Sequence, residues 1–175
     1  MREGVLAGGA PADLSPGSGA HVVRLLASGP VMPEVLSAAR LLADEGIAAP
    51  VIDVTSADRL YRSWQAELRA AAELRAAVAS ARPPDIAGRT VLGGLLSGIA
   101  GSSGEDVGER LDAPIVTVHD ASSYAPGWVG AALALGLRQL GFDEFGQSGS
   151  IADLYEHLGL LPDQIMTAAL VAASS

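Results

Sequence analysis

Short apolar runs and segments with helical spacing alternate along the chain. Residues 21–27, 49–56 and 113–119 have the length and composition of strands. The third run is nearly continuous in β-branched residues, as expected for a strand covered on both faces. Between the first two runs, apolar residues with helical spacing predict an amphipathic helix over residues 31–46: Val31, Val35, Leu36, Ala39 and Leu42. This order predicts a right-handed parallel βαβ unit.

The rest of the pattern continues the alternation of helices and strands. An alanine-rich helix is predicted over residues 60–81, ended by Pro83 and Pro84, which cannot continue it. A fourth strand is predicted at residues 138–140. The further helices predicted are residues 92–99, 128–137, a short one from residue 151, and 162–173.

Residues 141–160 are the most closely specified stretch of the chain. Phe142 and Phe145 are its only phenylalanines and precede a turn with Gly146 and Gly149, which suit a sharp change of direction. Ser150 with Asp153 predicts a helix start, and Gly159 predicts its end. The stretch can be read as a structural turn or as a functional loop.

Length and composition predict one domain with an aliphatic core. The chain has 175 residues, of which 49% are hydrophobic and only 4% aromatic. Residues 1–20 are rich in Gly, Pro and Ala and predict a flexible arm or linker, with the domain at residues 21–175. The absence of cysteine, of a signal peptide pattern and of a membrane-length apolar run indicates a cytoplasmic location.

The charge of the chain argues against nucleic-acid binding. The formal net charge is −9, and the 11 basic residues are all arginines without a cluster. Without lysine the chain can provide neither a Schiff-base amine nor a P-loop lysine. The six glycines over residues 91–108 fit no nucleotide-binding pattern.

Polar residues follow the predicted parallel strands, where open α/β sheets bind their ligands. They form a candidate crevice made of Ser28, Gly29, Thr55, Ser56, His119 and Asp120. A catalytic triad of Ser122 or Ser123 with His119 and Asp120 is disfavoured, because neighbouring strand residues point to opposite faces. The three histidines show no metal-ligand spacing, and we assign no catalytic, cofactor-binding or metal-binding residue.

Several strings of the sequence are specific enough to compare with a known family: Leu26-Ala-Ser-Gly29, Pro33-Glu-Val-Leu36, Val54-Thr-Ser-Ala-Asp-Arg-Leu-Tyr-Arg62, Ile115-Val-Thr-Val-His-Asp120 and Glu144-Phe-Gly-Gln-Ser-Gly-Ser150. They resemble the C-terminal domain of transketolase-like proteins, most closely the thiamine-diphosphate-dependent first component of homodimeric pyruvate dehydrogenases. The resemblance covers most of residues 21–173 and is specific in the last third.

The resemblance implies a three-layer α/β/α fold with a mostly parallel five-stranded sheet and one antiparallel edge strand. It also implies that thiamine diphosphate and a divalent metal lie between a pyrimidine domain and a pyrophosphate domain marked by Gly-Asp-Gly, a motif this sequence lacks. We therefore expect a C-terminal subunit that organises a hetero-oligomer, while partner chains hold the cofactor and transfer a two-carbon unit to an acyl or lipoyl carrier. The expected contact residues are Trp128, Phe142, Phe145 and Ser148.

Other interpretations stay open at this point. The chain can be a free-standing small-ligand or regulatory module that uses the candidate crevice, an enzyme that acts alone, or a fragment of a longer enzyme. The arm at residues 1–20 is too poor in large apolar groups to order itself, so we expect it to order on a partner.

Overall fold

The structure of the chain is a computed structural model, which describes residues 5–8, 21–77, 113–133, 137–144 and 146–174. The strands are β1 (Val5–Gly8), β2 (Arg24–Ser28), β3 (Val51–Val54), β4 (Ile115–His119) and β5 (Leu137–Leu140). The helices are α1 (Met32–Asp44), α2 (Ala57–Ala77), α3 (Trp128–Leu133), α4 (Ile151–Leu158) and α5 (Pro162–Ala173).

The strands form one sheet in the order β1-β3-β2-β4-β5. Strands β2, β3, β4 and β5 are parallel, with Leu26 opposite both Ile52 of β3 and Thr117 of β4. Strand β1 pairs antiparallel with β3, Val5 opposite Val54. The carboxyl ends of the four parallel strands therefore lie along one edge of the sheet.

Helices cover both faces of the sheet because the strand residues alternate between two apolar cores. Leu25 and Ala27 of β2 pack in the core that contains α1, α4 and α5. Leu26, between them, packs in the core that contains α3 and Trp64 of α2. The prediction of a three-layer α/β/α fold with a mostly parallel sheet is therefore confirmed.

A buried arginine closes the amino-terminal edge of the sheet. Arg24, at the start of β2, is almost completely buried, and its Nη1 donates a hydrogen bond to the Ala113 carbonyl oxygen 2.9 Å away. Ala113 lies just before β4, so the Arg24 guanidinium links the start of β2 to the residues that lead into β4. This bond places a permanent cation at the edge opposite the carboxyl ends.

Most predicted elements are found within a few residues of their predicted bounds. The helix predicted over residues 128–137 is wrong at its end, because Leu137 already belongs to β5. Four residues of the predicted flexible arm, Val5–Gly8, form the edge strand β1. Gly146 and Gly149 do not have the positive φ that their turn suggested. The helix predicted at residues 92–99 lies outside the described residues.

Helix α4 begins and ends where the sequence predicted. The Ser150 hydroxyl accepts a hydrogen bond from the Asp153 amide at 3.2 Å, and the Asp153 carboxylate accepts the Ser150 amide at 3.4 Å. Gly159 ends the helix with a φ of 73°, a left-handed conformation that favours glycine. The reciprocal cap satisfies two backbone donors that an uncapped helix would leave open.

We expect Ser150→Ala to lower the free energy of unfolding by about 1 kcal/mol, because the first turn of α4 loses its cap. The measurement is urea denaturation of the isolated chain followed by circular dichroism. Ser148→Ala is the matched control, since Ser148 is exposed and makes no side-chain hydrogen bond within the described residues. Equal unfolding midpoints for the two variants would contradict the prediction.

Candidate functional site

The carboxyl edge of the sheet contains a topological switch point between β2 and β4. The chain leaving β2 leads through α1 to β3 on one side, and the chain leaving β4 leads through α3 to β5 on the other. Ser28 and His119 face each other in the register of these strands. Gly29 has a φ of 90°, and a Cβ at this position would lie 3.7 Å from the Asp120 Cβ. The structure thus brings together four of the six predicted crevice residues.

A first cavity of about 70 Å³ opens between this part of the sheet and helices α2 and α3. Its lining is mostly apolar and includes Leu60 and Val129, with Ser28 and His119 among its polar members. Thr117 lies in the lining with 1% of its surface exposed, and its hydroxyl has no hydrogen-bond partner within the described residues. The cavity therefore offers one buried, unsatisfied hydroxyl in an apolar pocket.

The other two predicted crevice residues, Thr55 and Ser56, follow β3 at the same edge but do not line this cavity. The Ser28 hydroxyl donates a hydrogen bond to the Val54 carbonyl oxygen at 3.0 Å, next to this turn. The Ser56 carbonyl accepts the Leu60 amide at 3.2 Å and so begins helix α2. The backbone of this turn therefore positions a helix beside the cavity.

Three aromatic rings of α2 and α3 pack together, and one of them, Trp128, lines the first cavity. Trp128 stacks on Trp64 with a centroid distance of 5.6 Å and meets the edge of Tyr61 at 5.5 Å. Tyr61 and Trp64 are themselves 5.8 Å apart. Trp128, predicted as a contact residue, is thus half-buried and held by aromatic neighbours of its own chain.

A second and larger cavity, of about 180 Å³, lies beside α4 at the same edge. Asp120, Phe142, Glu144, Tyr155 and His157 are among the residues that line it. Asp120 thus belongs to this cavity, whereas His119 belongs to the first. Of the other predicted contact residues, Ser148 is exposed and Phe145 lies outside the described residues.

The loops that follow β4 and β5 are joined by hydrogen bonds at the rim of the second cavity. One carboxylate oxygen of Asp143 accepts the Ser122 hydroxyl at 2.7 Å and the Ser123 amide at 2.9 Å. The other accepts the Ser123 hydroxyl. The Phe142 amide also donates to the Ala121 carbonyl at 2.9 Å. Both serine hydroxyls considered for a triad are therefore bonded to Asp143.

These hydrogen bonds change the acidity of Asp143. Donation from the side chain of Ser123, then from the side chain of Ser122 and the Ser123 amide, lowers the pKa of Asp143 below the usual range of an aspartate. The bonds stabilise the ionised carboxylate, which therefore joins the two loops at neutral pH.

The two loops also touch directly at Gly141. A Cβ on Gly141 would lie 2.5 Å from the Ala121 carbonyl oxygen and 2.8 Å from the amide nitrogen and Cα of Ser123. All three are backbone atoms, which cannot move aside as a flexible side chain would. Residue 141 must therefore be glycine because there is no space for a side chain. A left-handed conformation is not the reason, since the φ of Gly141 is not in that range.

Asp143, Glu144 and Tyr155 were not predicted as site residues. Asp143 and Glu144 follow the carboxyl end of β5, so the rule that selected His119 and Asp120 applies to them as well. Tyr155 carries no comparable signal, because it occupies an ordinary apolar position of an amphipathic helix. Within the described ranges no group of three His, Cys, Asp or Glu residues is arranged to hold a metal ion.

We expect Gly141→Ala to lower the free energy of unfolding by about 1–3 kcal/mol, because the added methyl group overlaps backbone atoms of the neighbouring loop. Thermal or urea unfolding of the isolated chain measures this change. Gly146→Ala is the control, since a Cβ there meets no atom within 4 Å. If both variants unfold at the wild-type midpoint, the proposed contact between the loops is wrong.

We expect Asp143→Asn to destabilise the chain at neutral pH and to have less effect as the solution becomes acidic. The folded state lowers the pKa of this carboxyl group. The contribution of Asp143 to the free energy of unfolding is therefore complete at pH values above the pKa of an aspartate in the unfolded chain, about 3.9. It is lost as the pH falls through the lower pKa of the folded state. Urea midpoints of wild type and variant between about pH 7 and pH 3 should converge at the acid end. A difference that does not depend on pH would contradict this origin.

No helix in the part of the chain that the structure describes is both long and apolar enough to cross a membrane. A comparison with the sequences of curated proteins finds no match.

Transketolases are among the solved structures that resemble this fold. A split-gene transketolase, described as an inactive β4 tetramer, superposes with a TM-score of 0.50 at 20% identity over 89% of this chain and 39% of its own. The transketolase of Leishmania mexicana superposes with a TM-score of 0.54 at 16% identity, over 98% of this chain and 18% of its own. The transketolase of Campylobacter jejuni gives 0.50 at 17% identity, over 96% and 18%.

These likenesses concern the fold, and the chain spans between 18% and 39% of the length of these three solved proteins. The sequence itself matches the family described as the transketolase-like TK C-terminal domain over residues 13–161. The match includes strands β2 to β5, helices α1 to α4 and the residues that line both cavities. Strand β1 lies before it. The chain therefore belongs to the transketolase-like C-terminal domain family.

Proposed function

We propose that this chain is the C-terminal subunit of a split, thiamine-diphosphate-dependent enzyme of the transketolase type, and that partner chains hold the cofactor. The observation that carries the proposal is the family match over residues 13–161. The likeness to a protein described as a split-gene transketolase supports the division of the enzyme between chains. The subunit would organise the assembly and shape the entrance to an active site formed by its partners.

Neither the sequence motif for thiamine diphosphate nor, within the described residues, a group arranged for a metal ion is found in this chain. The sequence lacks the Gly-Asp-Gly of the pyrophosphate domain. Among the described residues, no carboxylate and histidine group has the arrangement of a metal site. We therefore assign the cofactor to partner chains with a pyrimidine and a pyrophosphate domain, and we derive no catalytic step from this subunit.

The reaction proposed for the assembly is the decarboxylation of a 2-oxoacid or the cleavage of a ketose, followed by transfer of a two-carbon unit to an acyl or lipoyl carrier. The likeness of residues 115–120 and 144–150 to the first component of pyruvate dehydrogenases supports the 2-oxoacid. We place the assembly in the cytoplasm, as expected for a chain without cysteine.

The carboxyl edge of the sheet is the surface that we propose for partner contact. Tyr124, after β4, is 76% exposed, and Ile151, at the start of α4, is 71% exposed. Large apolar side chains this open to solvent favour a protein contact. The contact residues predicted from the sequence, Trp128, Phe142, Phe145 and Ser148, follow the same two strands and are kept in the proposal.

The test is reconstitution with chains encoded next to this one that carry Gly-Asp-Gly and a pyrimidine domain. We expect the mixture to elute from gel filtration as one complex that decarboxylates a 2-oxoacid only when thiamine diphosphate is added. Tyr124→Ser combined with Ile151→Ser should weaken the complex by about tenfold or more, because two exposed apolar anchors are lost.

Leu41→Ser is the matched control, since Leu41 is a partly exposed leucine on α1, and it should leave assembly unchanged. Separate elution of all chains would overturn the proposal. So would tight binding of thiamine diphosphate to the isolated subunit.

A second function is favoured by the first cavity, where Thr117 offers an unsatisfied hydroxyl in an apolar pocket at the switch point. Here the chain would be a small-ligand or regulatory module that works without partners. Screening the isolated chain by thermal shift against nucleotides and 2-oxoacids separates the two functions. A specific shift that Thr117→Val removes would favour the module.

A further inference from the structure

The first cavity contains a buried hydroxyl group that has no hydrogen-bond partner. Thr117 lies in the middle of β4 with 1% of its surface exposed, and its hydroxyl makes no hydrogen bond within the described residues. A threonine hydroxyl can donate one hydrogen bond and accept others, and buried hydroxyls are normally satisfied. Because Thr117 lines the cavity, a molecule bound there can satisfy it.

A second hydroxyl in the lining already uses its hydrogen. Leu26 of β2 lies opposite Thr117, and Ser28 follows two residues later, so Ser28 is on the same face of the sheet as Thr117. The Ser28 hydroxyl donates to the Val54 carbonyl oxygen at 3.0 Å, which leaves Ser28 its lone pairs. The cavity therefore presents an unused donor on one strand and an acceptor on the neighbouring strand.

The rest of the lining is mostly apolar and carries no permanent charge. Leucine, valine, alanine, proline and tryptophan side chains form most of it, and the described residues that line it include no Asp, Glu, Lys or Arg. His119 is the one titratable side chain among them. An unpaired ion is unfavourable in such surroundings, whereas a neutral molecule gains by burying its apolar part. The lining thus favours an uncharged ligand.

The size of the cavity limits the ligand further. A cavity of about 150 Å³ holds the six carbons of benzene, so about 70 Å³ has room for roughly three or four non-hydrogen atoms. Water is a poorer occupant, because an ordered buried water uses about two to four polar partners. An alcohol places its hydroxyl at the polar pair and covers the apolar walls with carbon.

We propose that the first cavity binds a small neutral alcohol. The alcohol oxygen accepts a hydrogen bond from Thr117, and the alcohol hydrogen is donated to Ser28. The alkyl part lies against Leu60 and Val129. The site rests on the second function proposed above for this cavity, and the alcohol is the class of ligand that this function would use.

The test is a titration of the full, isolated chain with 2-propanol, followed by the NMR signals of the Val129 methyl groups and the Trp128 indole, which line the cavity. Acetone and acetate are the matched ligands, because they have the same number of non-hydrogen atoms and nearly the same shape. We expect 2-propanol to bind with a dissociation constant on the order of 1 mM. Acetone cannot donate a hydrogen bond and should bind about three- to tenfold more weakly, and acetate should not bind.

Three variants separate the two hydroxyls from general effects. Thr117→Val removes the unsatisfied hydroxyl and should weaken 2-propanol binding about three- to tenfold. Ser28→Ala removes the acceptor and should abolish the preference for 2-propanol over acetone. Thr167→Val is the control, because it makes the same substitution at an exposed site on α5, which packs on the other face of the sheet. It should bind 2-propanol as the wild type does.

The proposal is overturned if acetone or acetate binds as tightly as 2-propanol, or if Thr117→Val keeps the wild-type affinity. Should Thr117→Val unfold by circular dichroism, an unchanged preference for 2-propanol in Ser28→Ala overturns it as well. A thermal shift by a nucleotide or a 2-oxoacid without binding of 2-propanol would overturn the alcohol and keep the second function. Failure of assembly with partner chains does not affect the outcome, because the isolated chain is used.

Discussion

The close contact between the loops after β4 and β5 is the constraint on which the carboxyl edge depends. Gly141 lies against backbone atoms of Ala121 and Ser123, so the loops cannot approach in this way if residue 141 has a side chain. The Asp143 carboxylate, in the loop after β5, then accepts hydrogen bonds from Ser122 and Ser123 in the loop after β4. Because Asp120 starts the first loop and Phe142 and Glu144 lie in the second, this contact also sets the distance across the second cavity.

The alternation of side chains along β4 explains why two neighbouring polar residues line different cavities. His119 is the last residue of β4 and lies on the side of the sheet that Ile115 and Thr117 share with α3. Asp120 comes one residue later, where the chain turns toward the loop after β5, and it lies with α4. The switch point thus opens into an apolar cavity on one side and an acidic cavity on the other.

Much of the fold could be predicted because burial on both faces leaves a strong mark in the sequence. Strand β4 is recognisable in the sequence because its side chains are apolar on both faces and pack in both cores. Helix α4 is recognisable because its capping serine and its terminal glycine are visible in the sequence. The end of the α3 segment was harder, because Leu137 suits a buried helix as well as a strand. Strand β1 was missed since its four residues carry too little pattern to stand out among glycines, and its partner β3 is more than forty residues away.

The candidate site was predicted only where position in the fold selects residues. The rule that ligands lie at the ends of parallel strands found Ser28, Gly29, His119 and Asp120, which the structure brings together. It could not find Tyr155, which contributes from a helix and becomes a site residue only through the cavity beside it. The roles of Asp143 and Gly141 depend on contact between two loops that are about twenty residues apart in sequence. Local sequence patterns do not predict such a contact.

The two edges of the sheet are fastened by groups of different chemistry. Arg24 fastens the amino-terminal edge with a guanidinium, which keeps its charge at every pH that a protein survives. Asp143 fastens the carboxyl edge with a carboxylate, which acid can neutralise. Acidification should therefore weaken the link between the carboxyl-edge loops before it affects the buried hydrogen bond of Arg24. The edge that we propose for ligand and partner contact is then also the part whose loops are released first.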